Sequence, residues 1–227
     1  MAETYNDTRD RLQVYFNRTA AKTWERLTSD APVSRIRQTV REGRDGMRAR
    51  LLSALPQDLS GARVLDAGAG AGSASIELAK RGAEVVAVDI SESLLEVARR
   101  RTPRELAPQI SYCTGDMLSA RWGSFTHVFA MDSLIHYNAT DIALALDKLS
   151  ARTSDKIVFT VAPKTALLSA MHLSGKLFPR SDRSPAIVPV REATLGQALS
   201  ALGRRTPRSL GQEARGFYIS HALELCP

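Results

Sequence analysis

The chain has 227 residues, 44% of them apolar and 24% charged, which suits one sizeable hydrophobic core and is too little for two typical domains. Lysine and arginine outnumber aspartate and glutamate by 31 to 24, and the net charge of +7 favours an anionic partner: nucleic acid, anionic lipid or an acidic small molecule. No stretch approaches the roughly 18 consecutive apolar residues of a membrane span, and the opening segment is too polar for a secretory signal, so we expect a soluble, cytoplasmic protein.

The first sixty residues predict a helical arm. Apolar side chains recur at three- and four-residue steps on both sides of a break at Pro32, which indicates two amphipathic helices before the first strand. The second helix carries a run of arginines that begins at Arg35 and ends at Arg50. Such a run is most often a solvated helix face. We therefore assign residues 1–60 to an arm or lid and residues 61–227 to the main domain.

From Ala62 onward, short apolar runs alternate with helical stretches. Helices are predicted to begin near Ser73, Ser91 and Thr140, and a weaker crossover passes through Gly123. Five strands are predicted: RVLDAG, EVVAVD, ISYCTG, HVFAMD and KIVFTVAP. This alternation predicts an α/β fold with a doubly wound parallel sheet, in which ligands bind beyond the carboxyl ends of the strands.

The segment after the fifth strand is expected to lie outside the sheet. A helix is plausible from Ala166 to Leu177, and the polar loop PRSDRSP that follows cannot belong to a buried strand. We treat residues 164–190 as an insertion on the substrate side. A helix over residues 191–202 and a closing strand in RGFYISHALEL complete the prediction.

The segment VLDAGAGAGSASIELAK carries the clearest functional signal. A buried strand ends at Asp66, and Gly68, Gly70 and Gly72 allow the backbone to turn tightly and approach a ligand. A helix then begins with its positive end at the same place. The glycine spacing is G-x-G-x-G, because position 73 is Ser73, and this differs from the dinucleotide fingerprint.

This motif, with an acidic residue two places before the first glycine, resembles the first motif of class I S-adenosylmethionine-dependent methyltransferases. Asp89 closes the second strand, where a carboxylate can accept both ribose hydroxyl hydrogens. The resemblance implies that Asp116 binds the adenine amino group and that Met117 stacks on the adenine ring. Asp66 would lie near the ammonium and sulfonium end of the cofactor. Ile90 and Asp132, after the second and fourth strands, complete the predicted cofactor contacts.

The resemblance extends over almost the whole chain. The segments YFNRTAAKTWERL, IRQTVREGRDGMRARLL, DAGAGAGS, AVDIS, MDSLIHY, VFTVAPKT, GKLFPRSDRSP and RGFYIS are together similar to the magnesium-protoporphyrin IX methyltransferases of (bacterio)chlorophyll biosynthesis. One departure is Ala69, where related sequences often have cysteine in the glycine turn; alanine makes the same turn. The resemblance implies methylation of one propionate of Mg-protoporphyrin IX by S-adenosylmethionine, giving the monomethyl ester and S-adenosylhomocysteine.

The residues that follow the fourth strand bear on the methyl acceptor. Methyltransferases that act on exocyclic base nitrogens usually carry an Asn/Asp-Pro-Pro-aromatic tetrad there, and this chain has MDSLIHY instead. We therefore expect no nucleic-acid substrate. His136 and Tyr137 are the candidate catalytic residues. His136 would orient the reacting propionate or remove its proton, and the alternative is that it only caps the next helix.

A flat apolar macrocycle with two carboxylates calls for an apolar slot with cationic rims. The arm and the segment 171–178 would form the slot as a lid. The aromatic side chains of Tyr15, Phe16 and Trp24 could stack on the porphyrin, but aromatics at helical spacing are more often core residues. Six cationic side chains are candidates for the rims: Arg41, Arg44, Arg48, Lys164, Arg180 and Arg183.

Partners and competing interpretations complete the sequence-based hypothesis. The two cysteines, Cys113 and Cys226, lack the spacing of a disulfide framework or a zinc site, so we expect no protein-bound metal; magnesium arrives in the porphyrin. The resemblance also implies contacts with the large subunit of magnesium chelatase and, peripherally, with the photosynthetic membrane. One alternative is a methyltransferase of another small acidic or quinone-like acceptor. Another is a basic module that binds nucleic acid or membrane.

Overall fold

The computed structural model of the chain describes residues 4–17, 35–164 and 186–227. It contains six α-helices in these ranges: α1 (Tyr5–Tyr15), α2 (Arg35–Ser53), α3 (Ser73–Lys80), α4 (Glu92–Arg101), α5 (Ala139–Ser150) and α6 (Glu192–Ala201). Seven strands form one sheet: β1 (Arg63–Ala67), β2 (Glu84–Asp89), β3 (Ile110–Thr114), β4 (Phe125–Ala130), β5 (Thr153–Val161), β6 (Arg208–Arg215) and β7 (Tyr218–Leu225).

The strand order is β3-β2-β1-β4-β5-β7-β6. Strands β1 to β5 run parallel, as the alternation of strands and helices predicted, and the doubly wound α/β fold is confirmed. The order reverses at β1, whose neighbours are β2 and β4. A doubly wound sheet opens a crevice at such a point, beyond the carboxyl ends of the strands.

The closing strand differs from its prediction. RGFYISHALEL contains a turn at Gly216 and Phe217, so that Arg215 ends β6 and Tyr218 begins β7. Strand β6 was not predicted, because its sequence, RSLGQEAR, is polar and has a bulge between Ser209 and Gly211. It pairs antiparallel with β7 at the edge of the sheet, where a polar strand can lie exposed to solvent.

Alternate residues of the strands build two cores, one on each face of the sheet. Val64, on β1, packs with α2 and α3, whereas the next residue, Leu65, packs with α1, α5 and α6. This alternation follows from the two-residue period of a strand.

The second helix of the predicted arm is an integral layer of this fold. Met47 and Leu51 of α2 are completely buried, and Leu52 and, just after the helix, Leu55 are nearly so. The helix approaches the β6–β7 hairpin closely, because a Cβ atom at Gly43 would lie only 2.6 Å from Cδ1 of Tyr218. The predicted helix within residues 166–177 lies outside the described residues.

The burial of α2 predicts a large stability effect at its centre. Leu51→Ala should lower the free energy of unfolding by about 2–5 kcal/mol, since it removes a completely buried side chain from the core. The matched control is Leu202→Ala, because Leu202 is 39% exposed and its truncation should change stability by about 0.5 kcal/mol or less. Urea unfolding followed by circular dichroism measures both. Equal effects would show that α2 does not belong to the core.

Candidate active site

A cavity of about 450 Å³ lies at the carboxyl ends of the parallel strands, a size typical of small-molecule sites. Thirteen of the predicted site residues line it: Arg41, Arg44, Arg48, Asp66, Gly68, Gly70, Asp89, Ile90, Asp116, Met117, Asp132, His136 and Tyr137. Gly72 and Lys164 are not among the residues that line it. Arg180, Arg183, Trp24 and the segment 171–178 lie outside the described residues.

The glycine turn between β1 and α3 forms the floor of the cavity. Gly68 N donates to the carbonyl oxygen of Val88 at 2.8 Å, which ties the turn to the end of β2. Gly70 has a φ of +53°, and a Cβ atom there would meet nothing within 4 Å. The backbone of Gly70 therefore borders open space, so a ligand can lie directly against the turn.

The other two glycines are needed for packing. Gly68 has a φ of +86°, and a Cβ atom there would collide with Cβ of Ser133. Gly72 has a φ of +79°, and its Cβ would lie 2.8 Å from Cβ of Ala98 and from the Tyr112 hydroxyl. Gly68 thus allows the glycine turn to pack against the residues after β4. Gly72 allows the start of α3 to pack against Ala98 and Tyr112.

Asp66 is almost completely buried beneath the turn, with an exposure of 2%. Ser75 Oγ donates to its carboxylate at 2.5 Å. Burial raises the pKa of Asp66 to about 7, with a smaller contribution in the same direction from the charge of Asp89, whereas the Ser75 hydrogen bond acts in the opposite direction. A nearby cation would restore the ionised form.

Asp89 is held by two backbone groups at the end of β2. Gly70 N donates to one carboxylate oxygen and Ser91 N to the other, each at 2.8 Å. Each oxygen keeps acceptor capacity after one hydrogen bond. The side chain is thereby fixed at the cavity wall, in an orientation in which it can accept from a pair of hydroxyl groups.

Helix α1 closes over Asp116, a contact that sequence reasoning missed. The Tyr5 hydroxyl donates to Oδ1 at 2.9 Å, and Arg9 Nη1 lies 3.1 Å from Oδ2. The Tyr5 ring stacks on Tyr137, with 4.7 Å between the ring centroids. The capping box formed by Thr4 and Asp7 could have located the start of α1, but no local pattern indicates that its residues reach the third strand.

His136 lies in a short 3₁₀ turn after β4 and faces the cavity. Its Nδ1 is 3.1 Å from the carbonyl oxygen of Ala186, so the tautomer with a proton on Nδ1 satisfies this contact and leaves Nε2 as an acceptor. Burial lowers the pKa of His136 below its ordinary value, which keeps the ring neutral at neutral pH. Asn138, rather than His136, caps the following helix.

Three arginines of α2 line one side of the cavity. Arg44 Nη1 lies 3.1 Å from Asp132 Oδ2, and Arg48 Nη2 lies 2.7 Å from Asp45 Oδ1. Together with Arg41 they place guanidinium groups, which suit carboxylate recognition, at the cavity. Part of the arginine run on α2 therefore lines the cavity, and does not form only a solvated helix face.

An apolar wall faces the cavity from several elements. Tyr15 and Phe16, which aromatic spacing favoured as core residues, both line the cavity, and Phe16 also packs against the core. Ile187 and Phe217 join them and are 39% and 55% exposed. A wall of this kind suits a ligand with a large apolar face.

The described ranges offer neither a metal site nor a membrane span. In residues 4–17, 35–164 and 186–227, no three His, Cys, Asp or Glu side chains are grouped so that they could hold a metal ion. No helix in those ranges is long and apolar enough to cross a bilayer.

Comparison with known proteins gives consistent matches. A family model described as magnesium-protoporphyrin IX methyltransferase C-terminus matches residues 130–227, and a methyltransferase domain model matches residues 64–155. The chain is 52% identical to a magnesium-protoporphyrin O-methyltransferase of Rhodobacter capsulatus, with 100% of both chains covered. It is 31% identical to the Synechocystis sp. protein of that name over 92% of each.

A solved structure extends the comparison to three dimensions. The crystal structure of magnesium protoporphyrin IX methyltransferase from Synechocystis PCC 6803 with bound S-adenosylhomocysteine superposes with a TM-score of 0.79. The two chains are 30% identical, and the match covers 96% of this chain and 98% of the other.

The raised pKa of Asp66 predicts that Asp66 makes the ligand-free protein less stable as the pH rises. An acid whose folded-state pKa is about 7 favours folding below its unfolded pKa of about 4 and loses that contribution as the pH rises through about 7. Relative to Asp66→Asn, the wild-type free energy of unfolding should therefore fall by up to about 4 kcal/mol between about pH 4 and about pH 8. Urea unfolding of both proteins across this range measures the difference, and a constant difference would contradict the raised pKa.

Proposed function

The chain belongs to the family of magnesium-protoporphyrin O-methyltransferases, and on this premise we propose that it methylates one propionate of Mg-protoporphyrin IX, giving the monomethyl ester. S-adenosylmethionine is the methyl donor and leaves as S-adenosylhomocysteine. The observation that carries the assignment of roles is one cavity that joins the glycine turn to a row of arginines and an apolar wall. One end of this cavity suits an adenosine-bearing cation and the other an apolar acid.

The donor end is made by the glycine turn and three carboxylates. Asp89 would accept from the ribose hydroxyls, Asp116 from the adenine amino group, and Asp66 would face the ammonium and sulfonium charges. Bound there, the donor supplies an electrophilic methyl group. Tyr5 and Arg9 hold α1 against Asp116, so we assign the lid role of the predicted arm to α1, while α2 is part of the core.

The acceptor end fits a flat macrocycle with acidic side chains. Its apolar wall would cover the ring, and the guanidinium groups of Arg41, Arg44 and Arg48 would meet propionate carboxylates. Attack of a carboxylate oxygen on a methyl group is an in-line displacement, for which good alignment supplies roughly 7–11 kcal/mol. The main task of these side chains is therefore to fix the propionate in line with the donor.

His136 is the proposed proton acceptor beside the reacting propionate. Its Nε2 carries the lone pair, because Nδ1 faces the Ala186 carbonyl group. A propionic acid that enters protonated would give its proton to Nε2 before or during attack. Tyr137, stacked on Tyr5 and 4% exposed, would close the pocket beside it.

Two partner proposals accompany this function. We propose a contact with the large subunit of magnesium chelatase, because a free metalloporphyrin is poorly soluble and gains from direct transfer. We also propose peripheral contact with the photosynthetic membrane. The net charge of +7 and the exposed Phe217 at the cavity are compatible with an anionic lipid surface.

The assigned reaction is tested directly by product analysis. The purified protein, incubated with S-adenosylmethionine and Mg-protoporphyrin IX, should yield a porphyrin with one added methyl group by mass spectrometry. Asp89→Ala should lose at least about tenfold in donor affinity, since it removes the proposed acceptor for two hydroxyl groups. A porphyrin of unchanged mass, with methyl transfer to a quinone-like acceptor instead, would overturn the substrate assignment.

The role of His136 predicts a change in both rate and pH profile. His136→Ala should lower kcat by about 100-fold at neutral pH. Wild-type kcat should fall at acid pH, below the ordinary pKa of histidine because burial lowers the pKa of His136; protonated His136 cannot accept a proton, and the variant should lack this acid limb.

The matched control for His136 is His127→Asn, since His127 is buried in β4 and is not among the residues that line the cavity. Its kcat should stay within about twofold of wild type. An unchanged kcat for His136→Ala at saturating substrate would remove His136 from the chemistry.

A further inference from the structure

Asp132, which the sequence assigned to the cofactor, has an unusual backbone in the structure. It lies two residues after the end of β4 and has a φ of +56°, the one positive value at a residue other than glycine in the described ranges. Aspartate tolerates this left-handed conformation better than most residues, but the conformation is still strained. Such a conformation persists where surrounding contacts hold it.

Three elements of the fold meet on this residue. Asp132 N donates to Thr160 Oγ1 of β5 at 2.7 Å. The Tyr218 hydroxyl of β7 lies 3.1 and 3.3 Å from the two carboxylate oxygens, and Arg44 Nη1 of α2 lies 3.1 Å from Oδ2. The Asp132 side chain is only 7% exposed. Its carboxylate thus joins α2 and β7 to the residues that follow β4.

The residues after Asp132 carry the acceptor half of the site. Ser133 touches the glycine turn at Gly68, where there is no room for a Cβ atom, and His136 and Tyr137 line the cavity three and four positions further on. A change in the backbone at Asp132 would therefore move the turn 133–137 relative to the glycine turn. It would also release Arg44, one of the arginines at the acceptor end.

We propose that Asp132 is a positioning residue, which acts through Arg44 and the turn 133–137 to align the acceptor carboxylate with the donor methyl group. This inference rests on the proposed function. A misplacement of about 1 Å can cost about 100-fold in rate, so loss of the Asp132 contacts should reduce kcat more than the binding of either ligand.

Asp132→Asn isolates the charge, because asparagine also tolerates a positive φ and keeps the size of the side chain. We expect kcat to fall by about 10- to 100-fold, while the dissociation constant of S-adenosylhomocysteine, measured by calorimetry, stays within about twofold. Amide hydrogen exchange in residues 133–137 should become faster by about tenfold, a readout that does not require turnover.

The matched control is Glu213→Gln. Arg50 Nη2 lies 2.6 Å from Glu213 Oε1, so this ion pair also joins α2 to the β6–β7 hairpin, but neither residue is among those that line the cavity. Its loss should leave kcat within about twofold. Tyr218→Phe keeps the ring and removes the hydroxyl that donates to Asp132, so it provides a second test if Asp132→Asn does not fold. Its kcat should fall by about three- to tenfold, and the double variant should be no slower than Asp132→Asn.

Three results would overturn the inference. One is a loss of S-adenosylhomocysteine affinity as large as the loss of kcat, which would make Asp132 a cofactor ligand. Another is an unchanged kcat in both Asp132→Asn and Tyr218→Phe. The third is an equal loss of kcat in Glu213→Gln, which would indicate general loosening of α2. Failure of the wild-type protein to methylate Mg-protoporphyrin IX would instead refute the proposed function, so the two failures are distinguishable.

Discussion

The contact between Gly68 and Ser133 sets the spacing of the two halves of the active site. Because a Cβ atom at Gly68 would collide with Ser133, the glycine turn and the turn after β4 lie closer together than two ordinary side chains allow. Asp66 and Asp89 lie in β1 and β2 beside the first turn, while Asp132 precedes the second. In the proposed function the donor lies at the glycine turn and the acceptor beside the turn after β4, so the spacing of the two turns would set the distance across which the methyl group is transferred.

Three carboxylates are buried within this small region, and the structure stabilises each of them differently. Asp66 has one hydroxyl donor and a pKa raised to about 7, so without ligand it is partly protonated near neutral pH. Asp89 accepts hydrogen bonds from two backbone N–H groups. Asp132 pairs with the guanidinium group of Arg44 and accepts a hydrogen bond from the Tyr218 hydroxyl. The carboxylate with the weakest internal compensation is therefore Asp66, the one proposed to face the cationic end of S-adenosylmethionine. Binding of a cation at Asp66 supplies the compensation that the protein lacks there.

The sequence predicted those parts of the molecule whose signals are local. The five parallel strands and the turn Gly68–Gly72 follow from apolar runs and glycine spacing, and thirteen predicted site residues line one cavity. Strand β6 lacked such a signal, because an edge strand exposed to solvent needs no apolar alternation. The contacts of Tyr5 and Arg9 with Asp116 join residues more than a hundred positions apart, so no local pattern could reveal them. The contacts of Asp132 with Arg44 and Tyr218 were not predicted for the same reason, since these partners come from α2 and β7.

The helical period places the arginines of α2 on different sides of the helix, where they have different surroundings. With about 100° between successive residues, Arg41, Arg44 and Arg48 fall within about 60° of one another, and Arg50 falls on the opposite side of the helix. The first three line the cavity, whereas Arg50 pairs with Glu213 of the hairpin. The net charge of +7 alone does not distinguish an anionic surface from an anionic substrate. The angular positions of these arginines show which guanidinium groups reach the cavity, because the buried Met47 and Leu51 fix which side of α2 faces the core.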